Sequence, residues 1–208
     1  MATPWRSAMN TIGIIGAGQI GRAFATALAA KGIPAVIANS RGPETLSALV
    51  AEMGPTIRAG TRDQAAAQDI VLVAVNWSKL PAALAGLPDW AGRVVVDANN
   101  PIEAPLFKPI PLGNRSSSEV VAGLVPEARV VKAFNHLQAH LISSDPAGDG
   151  GKRVLFYSGD DADAKAQVGT LIDQLGFFGI DLGPLAIGSR LVQFPGGPLP
   201  ALNLVKIG

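Results

Sequence analysis

Six residues near the start, Gly16-Ala17-Gly18-Gln19-Ile20-Gly21, constrain the fold more than anything else in the chain. A GxGxxG hexapeptide alone is weak, given 24 glycines in the sequence, but here an apolar run enters it and an amphipathic pattern leaves it. That context reads as strand, tight turn and helix. Gly16 permits the turn, Gly18 lets the backbone approach a pyrophosphate, and Gly21 lets helix and strand pack closely. Backbone N–H groups around Gln19 and Ile20 then meet phosphates at the positive end of the helix.

The rest of the chain repeats the alternation. Strands are expected at residues 11–15, 35–38, 70–75, 94–97, 130–134 and 154–158, with weaker runs at 56–59 and 179–182. They are rich in Val and Ile and apolar on both faces, as strands buried in a parallel sheet are. Ile20, Ala23, Phe24, Ala27 and Leu28 fall on one face of the first helix, and Gly32 is placed to stop it. A second helix is expected after Asp160 and Asp161, with Ala164, Val168, Leu171, Ile172 and Leu175 on one face and Gly176 ending it. The fold class that follows is α/β, a Rossmann-type doubly wound and mostly parallel sheet with a small C-terminal extension. Residues 1–10 read as a flexible lead-in, 11–183 as the nucleotide-binding domain and 184–208 as a cap of the same unit. The Pro-rich stretch at 101–113 is the longest irregular segment and a wall or lid for a site.

Composition narrows the partners. Hydrophobic residues make up 48% of the chain, enough for a substantial core. The net charge of +1 with no basic run argues against nucleic acid. Absence of cysteine removes disulfides, thiolate metal sites and a cysteine nucleophile, and no metal is expected. No apolar run reaches the ~18 residues that cross a bilayer. The expectation is a cytoplasmic protein without membrane contact, with the apolar tail at 199–207 available to a homodimer.

The second strand chooses the dinucleotide. An Asp or Glu about 20 residues past the glycines would accept from ribose hydroxyls, as NAD requires. Between Gly21 and Glu44 there is no acid; the strand ends in Asn39-Ser40-Arg41. Arg41 can pair with a 2′-phosphate through its guanidinium fork and Ser40 can add a hydrogen bond, so NADP(H) is expected.

In such folds ligands lie outside the C-terminal strand ends. Here those ends are Val75-Asn76-Trp77, Asp97-Ala98-Asn99-Asn100-Pro101 and Phe134-Asn135-His136. Trp77, Asn135 and His136 are the residues expected toward a substrate.

Residue by residue, the chain resembles the F420-dependent NADP oxidoreductase family. It is also similar to the reductase domain of the six-transmembrane epithelial antigen of prostate metalloreductases. The resemblance is carried in order by IGIIGAGQIGRAFA, ANSRGPE, VLVAVNW, VVVDANNP, the RSSSEVVAGLVPEARVVKAFNHL block and the terminal IDLGPLAIGSRLVQF. It implies NADP(H) on Ala17 to Ile20 with Ser40 and Arg41, and a nicotinamide end lined by Val75, Asn76, Asn99, Asn100 and Ala139. It further implies direct hydride transfer to a stacked deazaflavin (F420) or flavin (FMN, FAD) ring, with no catalytic side chain. Asn135 matches the metalloreductase pattern, which leaves the acceptor open between the two ring types. The cofactors carry such chemistry, and the protein supplies alignment and a dry slot.

Two alternatives stand beside this reading. One is an NADPH-dependent reductase of a small keto acid or imine, which would need a helical substrate domain of about 100 residues or more. The other is an NADPH-sensing module that binds without turnover.

Overall fold

In the computed structural model the described residues are 10–103, 107–148 and 150–208; of the expected lead-in at 1–10, residues 1–9 lie outside them. The strands are β1 (Ile12–Ile15), β2 (Ala35–Ala38), β3 (Ile57–Ala59), β4 (Ile70–Val73), β5 (Val94–Asp97), β6 (Ile102–Glu103), β7 (Lys108–Pro109), β8 (Arg129–Ala133), β9 (Ala147–Gly148), β10 (Gly151–Gly159), β11 (Phe178–Asp181) and β12 (Val205–Ile207). The helices are α1 (Gln19–Ala30), α2 (Ser47–Met53), α3 (Arg62–Ala66), α4 (Leu80–Leu84), α5 (Ser117–Ala122), α6 (Ala139–Ser143), α7 (Ala162–Gln174) and α8 (Leu185–Leu191).

The main sheet runs β11-β10-β8-β5-β4-β1-β2-β3. From β8 to β3 every neighbour is parallel, with Ile12 beside both Ala35 and Ile70, and Val94 beside Arg129. At the far edge β10 turns antiparallel to β8 and carries β11 parallel to itself. The fold is therefore the doubly wound, mostly parallel α/β sheet that the alternation implied. Winding goes outward through β2 and β3 on one side of β1 and through β4, β5 and β8 on the other. The order reverses between β1 and β4, which is where open sheets of this kind form a crevice.

Alternate strand residues feed two cores. Ile12, Ile14, Ile37, Leu72 and Val96 join Phe24 and Leu28 of α1 on one side. Ile15, Val36, Val71, Val73 and Val95 join Trp77, Leu80, Leu84 and Trp90 on the other. Covering both faces is why these strands are apolar at nearly every position.

Strand ends differ from the sequence reading for local reasons. The strand expected to reach Val75 stops at Val73, because the Val75 N–H donates to the Asn99 side chain instead. The strand expected to reach Phe134 stops at Ala133. Phe134 takes φ of 62°, leaving the extended region, and packs its ring edge-on against Phe24. The strand expected at 154–158 is longer, since residues from Gly151 onward pair with β12 and β9. The stretch at 101–113 contains the antiparallel pair β6–β7. Among the described residues no helix is long and apolar enough to cross a membrane.

Candidate active site

The glycine turn leaves β1 and enters α1 at the crevice. A Cβ at Gly16 would strike the Ala74 carbonyl oxygen, and one at Gly21 the carbonyl oxygen of Gly16, so both are fixed by the protein's own packing. Gly18 is different. A Cβ there would meet nothing within 4 Å, so its glycine leaves open space rather than satisfying a contact.

Gly18 is also the N-cap of α1, with no side-chain cap bond and no acidic residue in the first turn. By contrast α3 and α5 carry full capping boxes, Thr61 with Gln64 and Ser116 with Glu119. The free N–H groups of a twelve-residue helix therefore face the crevice without an internal acceptor, a ready anion site. Arg22 steadies the turn by donating from Nε to the Ala17 carbonyl at 2.8 Å.

Two cavities meet over this turn. One, of about 410 Å³, is lined by Gly16, Ala17, Gly18, Asn39, Ser40 and Arg41, together with Arg62, Lys79, Ala82 and Ala83. Its described lining holds three cationic side chains and no carboxylate. The Asn39 side chain organises the end of β2, accepting from the Arg41 backbone N–H at 2.8 Å and donating to the Thr45 hydroxyl at 2.9 Å. The Arg41 guanidinium is left exposed at the mouth.

The other cavity, of about 310 Å³, is lined by Gly18, Gln19, Ile20, Val75, Asn76, Trp77, Asn99, Asn100, Ile102 and Phe107. Gly18, Ala74, Val75 and Asn76 border both, so the two cavities adjoin along the crevice. This half has no charged residue in its described lining. β6 supplies Ile102, Phe107 precedes β7, and Glu103 anchors β6 by accepting from the Ser78 N–H at 2.5 Å.

Beneath the second cavity lies a polar scaffold. Asn99 Oδ1 accepts from the Val75 N–H at 2.9 Å, while Asn99 Nδ2 donates to the Val73 carbonyl and to Asp97 Oδ1. Asp97 and Lys132 sit side by side in the β5–β8 register and form an ion pair of 3.1 Å, both side chains 0% exposed. Lys132 Nζ also donates to the Asn99 carbonyl and to Ser117 Oγ, and Ser118 Oγ donates to Asp97 Oδ2 at 2.7 Å. Burial pulls the Lys132 ammonium below the usual lysine range, against the opposing pull of the Asp97 charge.

The residues singled out in the sequence fall into two sets. Residues 16–20, Ser40, Arg41, Val75, Asn76, Trp77, Asn99 and Asn100 border the crevice. Gly21 supports the turn from inside. Asn135 is buried, its Nδ2 donating to Asn100 Oδ1 at 3.0 Å and to the Val192 carbonyl at 2.6 Å. Ala139 opens α6 and packs at the margin of the core that also receives Ala17 and Ile20.

His136 borders neither cavity. It is 3% exposed, its Nε2 accepts from the Phe156 N–H at 3.0 Å, and its ring leans on Phe156. Burial lowers its pKa to about 4 from the ordinary 6.5, so it is neutral at physiological pH.

Arg62, Lys79, Phe107 and the Asp97–Lys132 pair were not among the residues expected at a site. For Arg62 a signal existed, since Thr61-Arg62-Asp63-Gln64 has the spacing of a capping box after a strand.

The family described as NADP oxidoreductase, coenzyme F420-dependent, matches residues 11–101. A crystal structure of a hypothetical protein from Sinorhizobium meliloti is 48% identical, covers 96% of this chain and 97% of its own, and superposes with a TM-score of 0.91. An Arthrobacter sp. FB24 protein with the provisional name F420-dependent NADP reductase is 33% identical, with 84% and 85% covered and a TM-score of 0.71. The metalloreductase STEAP3 of Rattus norvegicus is 32% identical over 193 residues, which are 91% of this chain. The chain spans only 37% of that relative's length.

Proposed function

Because the chain belongs to the coenzyme F420-dependent NADP oxidoreductase family, and is thus an NADP-dependent oxidoreductase, we propose that it passes a hydride between NADP(H) and a flat tricyclic ring, F420 or a flavin. One observation carries this reading: the crevice divides into a cationic, carboxylate-free half and an uncharged half that includes two aromatic side chains.

In this assignment the uncapped N-terminus of α1 and the N–H groups of residues 17–20 hold the pyrophosphate. The Ser40 hydroxyl and Arg41 guanidinium take the 2′-phosphate, with Lys79 adding positive charge to the same cavity. Val75, Asn76, Asn99 and Asn100 border the nicotinamide, and Ala139 stands behind the turn. When bound, NADPH supplies a hydride from its nicotinamide ring and leaves as NADP⁺, while the acceptor ring takes one proton from solvent.

The protein's own part is alignment. The Asn99 and Lys132 hydrogen bonds fix the β4 and β5 ends against one another, so the walls of the uncharged half keep their spacing. Near-attack spacing is where the rate gain of such a site lies. Trp77, Ile102 and Phe107 exclude water and offer apolar surface to a planar ring. A keto acid would instead call for a cation near its carboxylate, and this half has none in its described lining. Asn135 acts through Asn100 rather than by touching the acceptor. The proposal extends to residues 184–208 as a cap of one unit and to a cytoplasmic location, and the exposed apolar Leu202, Leu204 and Ile207 support a homodimer.

The test is a label experiment. NADPH deuterated at the transferring C4 position should deliver its deuterium to C5 of F420, and NADP⁺ should form in equal amount. Solvent hydrogen at that carbon, or NADP⁺ formed without reduced F420 or flavin, would contradict the proposal.

A further inference from the structure

The cationic cavity has a gap in its recognition chemistry. An adenine base needs a surface to lie on, yet among the described residues lining that cavity there is no aromatic side chain. Its extended planar groups are two guanidinium forks, Arg41 and Arg62.

These two are held very differently. Arg41 is exposed, and only its backbone N–H is tied, to Asn39. Its fork is free to close on a phosphate. Arg62 is half-buried at the start of α3, and its Nη1 donates to the Ala82 carbonyl at 2.8 Å and the Ala83 carbonyl at 3.1 Å. Those carbonyls belong to α4, so one guanidinium edge is pinned between two elements. Among the described residues Arg62 has no carboxylate partner. Two carbonyl acceptors offset part of its charge and immobilise its plane. A guanidinium whose plane is fixed in this way keeps its faces free, and an arginine face stacks well on an aromatic ring.

We propose that Arg62 is the adenine platform of the dinucleotide site, dividing the work with Arg41, which reads the 2′-phosphate. The inference rests on the NADP(H) assignment above. It makes a distinct statement: Arg62 contributes to affinity for every adenine dinucleotide and nothing to the choice between NADPH and NADH.

Dissociation constants for NADPH, NADH and reduced nicotinamide mononucleotide, which lacks adenine, would be measured on the unsubstituted chain and on Arg62→Ala, Arg62→Lys and Arg41→Ala. Lysine can keep the charge and a bond to the α4 carbonyls but not the plane. Both Arg62 variants should bind NADPH and NADH about tenfold more weakly, with the ratio between the two unchanged. Affinity for the mononucleotide should stay as it was, whereas Arg41→Ala should collapse the NADPH/NADH ratio. Full rescue by lysine, a fall in the ratio for the Arg62 variants, or equal loss of mononucleotide binding would each overturn the platform role. Failure of the unsubstituted chain to bind either dinucleotide would overturn the cofactor assignment itself, and the platform with it.

Discussion

Asn100 and Asn135 hold each other reciprocally: Asn135 Nδ2 donates to Asn100 Oδ1 at 3.0 Å, and Asn100 Nδ2 donates to the Asn135 carbonyl at 2.9 Å. The same Asn100 Oδ1 accepts from the Phe194 N–H at 3.0 Å, and Asn135 Nδ2 reaches the Val192 carbonyl. Two strand ends and the segment after α8 are thereby stitched together at the edge of the uncharged half. Asn100→Ala should strand several polar groups and cost about 1–3 kcal/mol in chemical denaturation. It should also slow acceptor reduction and weaken NADPH binding only modestly, since Asn100 borders the nicotinamide end while the phosphate contacts lie elsewhere.

Cofactor choice depends on Arg41. NADPH should bind at least about tenfold more tightly than NADH, a difference of only ~1.4 kcal/mol. Arg41→Ala should remove most of that preference and spare NADH. Equal affinities in the unsubstituted protein would contradict the assignment of Ser40 and Arg41 to the 2′-phosphate.

Lys132 and Asp97 are both fully buried, so removing one partner leaves an unpaired charge. Lys132→Met should destabilise the fold by about 3–5 kcal/mol, and adding Asp97→Asn to it should recover part of the loss. Denaturant unfolding of the single and double variants reads this directly. Additive losses would mean that the pair is not coupled.

His136 gives a pH signature with a definite sign. Its folded pKa of about 4 lies below the ordinary 6.5, so the unfolded chain takes up the proton first as pH falls. Its contribution to stability is complete above about pH 6.5, is lost on acidification toward pH 4, and amounts at most to about 3 kcal/mol. His136→Gln, which keeps an acceptor for the Phe156 N–H, should flatten that part of the stability profile. Turnover should fall by much less than the ~100-fold typical of losing an acid–base group. A larger fall in kcat with NADPH affinity intact would assign His136 to catalysis.

Much of this was legible from sequence because the informative signals are local. Residues 35–38 and 94–97 read as strands, and are strands, since burial on both faces leaves short unbroken Val and Ile runs. The glycine turn announced itself by its flanks. The short helices α2 to α6 and α8 escaped notice, because five to seven residues hold too few turns for a periodic pattern. The Asp97–Lys132 pair escaped for another reason. The two charges are 35 positions apart, and only the β5–β8 register brings them together. His136 looked like a strand-end polar group facing the crevice. The antiparallel turn of β10, which sequence alternation does not encode, takes up its ring instead.

In the proposed reaction the uncharged half receives a planar ring. Its most direct test is a stopped-flow panel following NADPH oxidation with F420, FMN, FAD and a set of small ketones, keto acids and cyclic imines. Rapid oxidation is expected with at least one tricyclic ring, orders of magnitude faster than with any aliphatic ketone. Rapid turnover of a keto acid or a cyclic imine, with no reaction toward any of the three rings, would contradict it.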